Sequence, residues 1–144
     1  MKTTFKLFLL IVILGNFYLN AQEVGVIFTK SEADQKFGEV IDTTEISSAQ
    51  LTEFLNKTGN YLLFKIANKN LYILDESRNP LYPSNLSIDP EDVYELFSVS
   101  KVEELLKQGE SKQTFFEKRK NVFSITNANY TLEQGALCPP WCVQ

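Results

Sequence analysis

The middle of the chain contains short, mostly apolar runs in which every second side chain would share one face, as in β-strands. Residues 61–67 and 71–74 follow this pattern, and residues 68–70 between them read Asn-Lys-Asn, which tolerates the positive φ of a tight turn. One face of the first predicted strand consists of Leu62, Phe64 and Ile66. The pattern therefore predicts an antiparallel hairpin over residues 61–74.

Four further segments carry the signals of short helices. In each, a capping side chain precedes acidic residues or apolar residues spaced three and four apart, as in a helix with one buried face. These helices are predicted to begin at Ser31, Ser48, Asp89 and Ser100. Gly38, Gly59 and Gly109 are typical helix stops and predict the ends of the first, second and fourth. The third prediction rests on Asp89 as the cap and Pro90 at the first helical position.

The last third of the chain predicts a β-meander. Residues 114–117 and 122–126 read as strands on either side of a Lys-Arg-Lys turn at 118–120, and residues 130–133 read as a third strand. We interpret the basic turn as a solvated one that discourages pairing at a sheet edge. The predicted fold class is α+β: a single small domain with a mainly antiparallel sheet, built from hairpins and the C-terminal meander, and three to four short helices packed on one face.

The N-terminal segment has the organisation of a secretory signal peptide. Lys2 and Lys6 give a positive start before the apolar run at 7–14, and Ala21 offers a small residue at the expected cleavage site. This run is much shorter than the roughly 20 apolar residues that cross a bilayer. The sequence predicts a cleaved signal peptide at 1–21, no stable membrane insertion afterwards, and export to the periplasm or the extracellular space.

Composition narrows the classes of function. The chain has 144 residues and no His, which excludes Ser-His and Cys-His catalysis and His metal ligands. Its formal net charge of −4 and its pI of about 4.9 argue against nucleic-acid binding. A nucleophile motif such as G-x-S-x-G is also missing from the sequence. We therefore expect a non-enzymatic binding or structural module without a cofactor.

The most unusual chemistry of the sequence lies in residues 138–142, which read Cys-Pro-Pro-Trp-Cys. An extended Pro-rich stretch would hold the two cysteine Cα atoms roughly 12 Å apart, whereas a disulfide needs about 4.4–6.8 Å. A Cys138–Cys142 disulfide therefore requires a turn or a cis prolyl bond. Three alternatives stay open: a redox pair, a soft metal site such as Cu(I), and an intermolecular bond. We treat residues 138–144 as a tail that follows a globular domain at 22–137.

The candidate functional surface combines this tail with a predicted loop. Residues 75–87 contain two prolines and several Asn and Ser residues, which is typical of a long surface loop. We expect residues 79–87 and the Cys138–Cys142 tail to lie close together or to flank one groove. Within these segments or beside them, the candidates for contact with a partner are Arg78, Tyr82 and Trp141.

Three hypotheses of function follow. The first is an exported binding or structural module with an unknown protein or small-molecule partner. The alternative is a thiol–disulfide or thiol–metal protein that acts through Cys138 and Cys142, which are also the only, weak, metal candidates. A third is an inhibitor or immunity-type binder, because an acidic surface favours a basic protein partner.

Overall fold

The computed structural model describes residues 22–140 and residue 142, so the predicted signal peptide and Trp141 lie outside the described residues. The strands of the described part are β1 (Val26–Thr29), β2 (Asp42–Ser47), β3 (Tyr61–Ala67), β4 (Asn70–Asp75), β5 (Pro80–Tyr82), β6 (Tyr94–Ser98), β7 (Gln113–Lys118), β8 (Phe123–Asn127), β9 (Tyr130–Glu133) and β10 (Ala136–Cys138). The helices of the same part are α1 (Lys30–Phe37), α2 (Ser48–Leu55) and α3 (Val99–Gly109).

Two antiparallel sheets of five strands each make up most of the fold. The first sheet has the strand order β1-β9-β8-β7-β2, and the second sheet has the order β10-β6-β3-β4-β5. The hairpin predicted over residues 61–74 is β3 and β4, with Leu63 opposite Leu74. The predicted meander is β7, β8 and β9 of the first sheet. The prediction of a small, mainly antiparallel α+β domain is therefore confirmed, although its strands form two sheets.

The two sheets pack face to face around an apolar core. Phe64 lies on the predicted inner face of β3 and is fully buried. Its ring centroid is 5.5 Å from that of Phe116 and 6.0 Å from that of Phe123, both in the first sheet. Leu51 of α2 and Leu105 of α3 belong to the same core. These two helices therefore cover the core at the end where β3 begins and β6 ends.

The opposite face of the second sheet is covered as well. We call the apolar residues on it the outer cluster, which consists of Tyr61, Leu63, Leu74, Tyr94, Leu96 and Cys138. Leu86 and Ile88, from the segment before β6, pack on this cluster together with Cys142. Both faces of β3 are consequently shielded, which explains why its first four residues are all buried.

The segment that starts at Asp89 is not the helix that the sequence predicts. It forms a turn in which the Asp92 N–H donates to the Asp89 carbonyl at 3.0 Å, and the chain then continues as β6. As a strand, this segment places Leu96 on the outer cluster and Phe97 in the core between the sheets. Pairing with β3 buries both faces of β6, so tertiary packing outweighs the local helix signal.

Three of the predicted helices form in the described residues, but they do not share one face. α1 packs on the outer side of the first sheet, where Phe37 meets Phe28 edge-on at 5.5 Å. Its N-terminus is a capping box between Thr29 and Glu32. α2 and α3 lie on the core side of the same sheet. The expectation of helices on a single face is therefore wrong.

The predicted surface loop at 75–87 contains the short strand β5. Tyr82 of this strand pairs with Ile73 of β4, and its ring lies 6.1 Å from that of Phe54 in α2. Pro80 suits this position because an edge strand tolerates a residue without an N–H donor. Part of the segment is thus a structural edge of the second sheet.

Replacing Phe116 by Ala is expected to lower the free energy of unfolding by about 3–5 kcal/mol, because it leaves a cavity in the core. Phe115→Ala is the matched control, since Phe115 is half-buried on the opposite face of β7. It is expected to cost about half as much or less. Urea unfolding followed by circular dichroism measures both values. Equal losses would contradict the placement of the two rings.

Candidate functional site

A cleft opens at the end of the core that α2 and α3 leave uncovered. Its volume is about 360 Å³. α3 follows the end of β6 at Ser98, whereas the cleft lies beside Tyr94 and Glu95 at the beginning of that strand. The turn between β7 and β8 forms the opposite wall. The two sheets therefore frame an open pocket whose size suits a small molecule.

Apolar side chains form much of this cleft. Phe64 and Phe123 are core residues that also line it, so its inner wall is continuous with the aromatic core. At the rim, Leu137 of β10 is 48% exposed and Val93 is 46% exposed. Of the four large apolar side chains that are exposed among the described residues, these two line the same cleft, and exposed apolar patches often mark ligand sites.

Among the described residues, Glu95 is the one carboxylate that lines the cleft. In the sheet it lies opposite Phe64 on one side and Leu137 on the other. Burial among these apolar neighbours raises the pKa of Glu95, because it disfavours the charged form. Among the described residues, its carboxylate has no hydrogen-bond or ion-pair partner. Glu95 therefore offers an uncompensated acceptor to whatever enters the cleft.

Arg119 lines the same cleft, and its guanidinium is fully buried in a cluster of carboxylates. It lies 3.2 Å from Glu133, 3.4 Å from Glu117 and 2.8 Å from Asp34 of α1. It also donates to the Gly38 carbonyl at the end of α1. The interpretation of the Lys-Arg-Lys turn as solvated is therefore wrong for Arg119. Its side chain turns inward because the outer face of the first sheet presents carboxylates to it.

Glu133 is an acid of this cluster whose pKa lies far above the ordinary value. Its side chain is fully buried, and desolvation raises its pKa to about 7, with a contribution from the charges of Glu117 and Glu95. A hydrogen bond from the Ser124 hydroxyl and the charge of Arg119 act in the opposite direction. Within the described residues, the second oxygen of Glu133 has no hydrogen-bond partner. This side chain therefore titrates near neutral pH.

Sequence reasoning missed the charge cluster because its members look like an ordinary solvent-facing side of a meander. The polar positions that alternate with apolar ones along β7, β8 and β9 are Glu117, Ser124, Thr126, Thr131 and Glu133. All five are buried, because α1 covers this face. The alternation of polar and apolar residues along these strands indicates that the polar side chains share one face of the sheet. Nothing in the local pattern indicates that a distant helix lies over it.

The cysteine tail forms the disulfide that the sequence allowed. Cys138 and Cys142 are bonded, and their Cα atoms are 4.7 Å apart. Pro139 and Pro140 both follow cis peptide bonds. Cys138 is buried in the outer cluster, whereas its neighbour Leu137 faces the cleft. The tail and the cleft therefore lie on opposite sides of β10.

The predicted partner-contact residues do not come together in one place. The Arg78 guanidinium donates to the Cys138 carbonyl at 3.5 Å and to the Asp92 carbonyl at 2.9 Å, and it stacks over Tyr94 at 5.3 Å. Tyr82 lies on the other side of the second sheet, against the core. Trp141 lies outside the described residues. Arg78 thus joins the predicted loop to the tail, and a role of either segment in binding stays a prediction.

Comparisons of the chain with protein-family models, with curated proteins and with solved structures found no match. In the described part of the chain, none of the helices has the length and apolar character needed to cross a membrane. The same residues contain no group of three or more His, Cys, Asp or Glu side chains that could hold a metal ion.

The raised pKa of Glu133 predicts how stability depends on pH. The folded protein keeps a proton on this carboxyl up to about pH 7, whereas the unfolded chain loses it near the ordinary glutamate pKa of 4.5. The free energy of unfolding should therefore fall by the order of 1–3 kcal/mol as the pH rises from about 5 to about 8. Glu133→Gln should remove most of this slope, and the exposed Glu53→Gln should leave it unchanged. Urea unfolding at several pH values measures it, and a slope that persists in Glu133→Gln would contradict this assignment.

Proposed function

We propose that this protein is an exported, non-enzymatic binding module, and that the cleft between the open ends of the two sheets is its ligand site. The observation that carries the proposal is the cleft of about 360 Å³, with Phe64 and Phe123 in its wall. A concave, largely apolar site with few convergent polar groups is the usual form of a small-molecule pocket. The ligand is therefore small and mostly apolar.

The wall of the cleft favours a preformed site. Phe64 and Phe123 stack at 6.0 Å, and Phe64 also packs against Phe97 at 6.1 Å and Phe116 at 5.5 Å. Rings held by so many neighbours do not need to be ordered when a ligand enters. This lowers the entropy cost of binding.

The acids near the cleft support binding rather than catalysis. Glu133 titrates near neutral pH, as a general acid or base does, but its side chain has no exposed surface. In the part of the chain that the structure describes, a single carboxylate, that of Glu95, borders the cleft, whereas acid/base hydrolysis of a glycoside uses a pair of them. The arrangement therefore suits recognition of a polar group on a bound molecule.

Export is supported by the disulfide, because such bonds persist in oxidising compartments and are rare in reducing ones. The signal-peptide pattern at 1–21 agrees with this.

A thiol–disulfide role is a second candidate, favoured by one contact: the Arg78 guanidinium lies 3.6 Å from the Cys138 sulfur. A cation at this place would stabilise a thiolate once the bond is reduced. The burial of Cys138 counts against rapid exchange at this sulfur.

The binding proposal is tested with 2-phenylethanol, a small neutral molecule with one aromatic ring. Chemical shifts of the labelled protein should change at residues that line the cleft when this probe is added. Leu137→Ser should weaken the binding several-fold, because it removes an apolar rim side chain. The matched control is Val26→Ser, since Val26 is similarly exposed at 43% but does not line the cleft. Shift changes outside the cleft, or equal effects of both variants, would overturn this site.

Intact mass of the protein purified after expression with its N-terminal segment tests export and the tail together. We expect a chain that begins at Gln22, lacks the two hydrogen atoms of the dithiol form, and resists alkylation until a reductant is added. A retained segment at 1–21 would contradict cleavage. Reduction by glutathione as fast as that of an unfolded control peptide carrying residues 138–142 would favour the thiol–disulfide role instead.

A further inference from the structure

The charged side chains around the cleft differ in whether they have a partner of opposite charge. This difference indicates which kind of ligand the cleft would bind. Arg119 is surrounded by Glu117, Glu133 and Asp34. Lys65 lies 2.5 Å from Asp92. Glu95 alone combines partial burial in the cleft wall with the lack of a partner among the described residues. The unmet charge of the inner cleft is therefore negative.

We infer that the ligand of this cleft carries a cationic nitrogen that binds the Glu95 carboxylate, while its apolar part lies against Phe64 and Phe123. This inference rests on the proposed function and names the chemical class of the ligand. An ammonium group would supply the hydrogen bonds that Glu95 lacks. Charge-assisted hydrogen bonds of this kind are among the stronger ones in proteins.

Two lysines at the rim of the cleft would favour an anionic ligand instead of a cationic one. Lys118 and Lys120 line the cleft and are exposed, so they would attract an anion. Solvent and salt screen charges at an exposed rim, whereas a carboxylate between apolar walls acts through a lower effective dielectric. The more buried charge, that of Glu95, should therefore decide which ligand binds more tightly.

Glu133 provides an internal reporter of cation binding. The charge of Glu95 contributes to the raised pKa of Glu133. A cation held by Glu95 would offset this charge and would also favour the ionised form of Glu133. The pKa of Glu133 should consequently fall when a cationic ligand binds, and it should stay constant when a neutral ligand binds.

The test compares three probes of similar shape: 2-phenylethylamine, 2-phenylethanol and phenylacetate. Dissociation constants are measured by titration followed by nuclear magnetic resonance, together with the pKa of Glu133. We expect the amine to bind about tenfold more tightly than the alcohol, with a lower pKa of Glu133 in its complex. Protonation of Glu95 in acid should remove this advantage and leave alcohol binding unchanged.

Variants assign the effect to Glu95. Glu95→Gln should reduce amine binding to the level of the alcohol, whereas the exposed Glu53→Gln should leave it unchanged. Lys118→Gln should not weaken amine binding. Circular dichroism and urea unfolding show whether each variant is folded, and the pH dependence in the unaltered protein tests Glu95 without any substitution.

The outcomes separate this inference from the proposed function. Equal binding of amine and alcohol in the cleft would overturn the inference and support the proposed function. Tightest binding by phenylacetate, lost in Lys118→Gln, would overturn the inference in favour of an anionic ligand. No binding of any probe to the folded protein would overturn both.

Discussion

The packing of aromatic rings between the two sheets is the interaction on which the rest of the structure depends. Phe64 of the second sheet meets Phe116 and Phe123 of the first, and these rings hold the sheets face to face. α2 and α3 cover one end of this core, and the other end is open. The cleft is thus the uncovered end of the core, which explains why its wall is both apolar and firmly held.

A second layer of the fold depends on charge instead of apolar contact. Arg119 joins the first sheet to α1 through Asp34 and the Gly38 carbonyl, and it balances Glu117 and Glu133 beneath the helix. A buried cation with several carboxylates is not a strong source of stability, since desolvation offsets much of the attraction. Its contacts join α1 to the sheet at Asp34 and at the Gly38 carbonyl. The same Arg119 borders the cleft, so both layers meet at the turn between β7 and β8.

Local sequence patterns predicted elements well where neighbours along the chain supply the packing. The hairpin over residues 61–74 and the meander after residue 113 form as predicted, because their strands pair with the next strand along the chain. The helix signal at Asp89 failed for the opposite reason. β6 pairs with β3, which is distant in sequence, and that pairing buries both Leu96 and Phe97. The disulfide could be considered from the sequence, since both cysteines lie in one short motif, whereas the cleft could not, because its walls come from distant strands.

The sequence by itself determined the hairpin at 61–74, the C-terminal meander and the existence of three helices, and it allowed a disulfide in the tail, because all of these depend on neighbours along the chain. Tertiary structure alone decided which polar residues are buried. Glu95, Arg119 and Glu133 are ordinary charged residues in the sequence. Their environment is unusual because strands that are distant along the chain place apolar side chains or opposite charges around them. Burial and electrostatic environment arise from contacts between distant segments, so a short-range pattern cannot carry them.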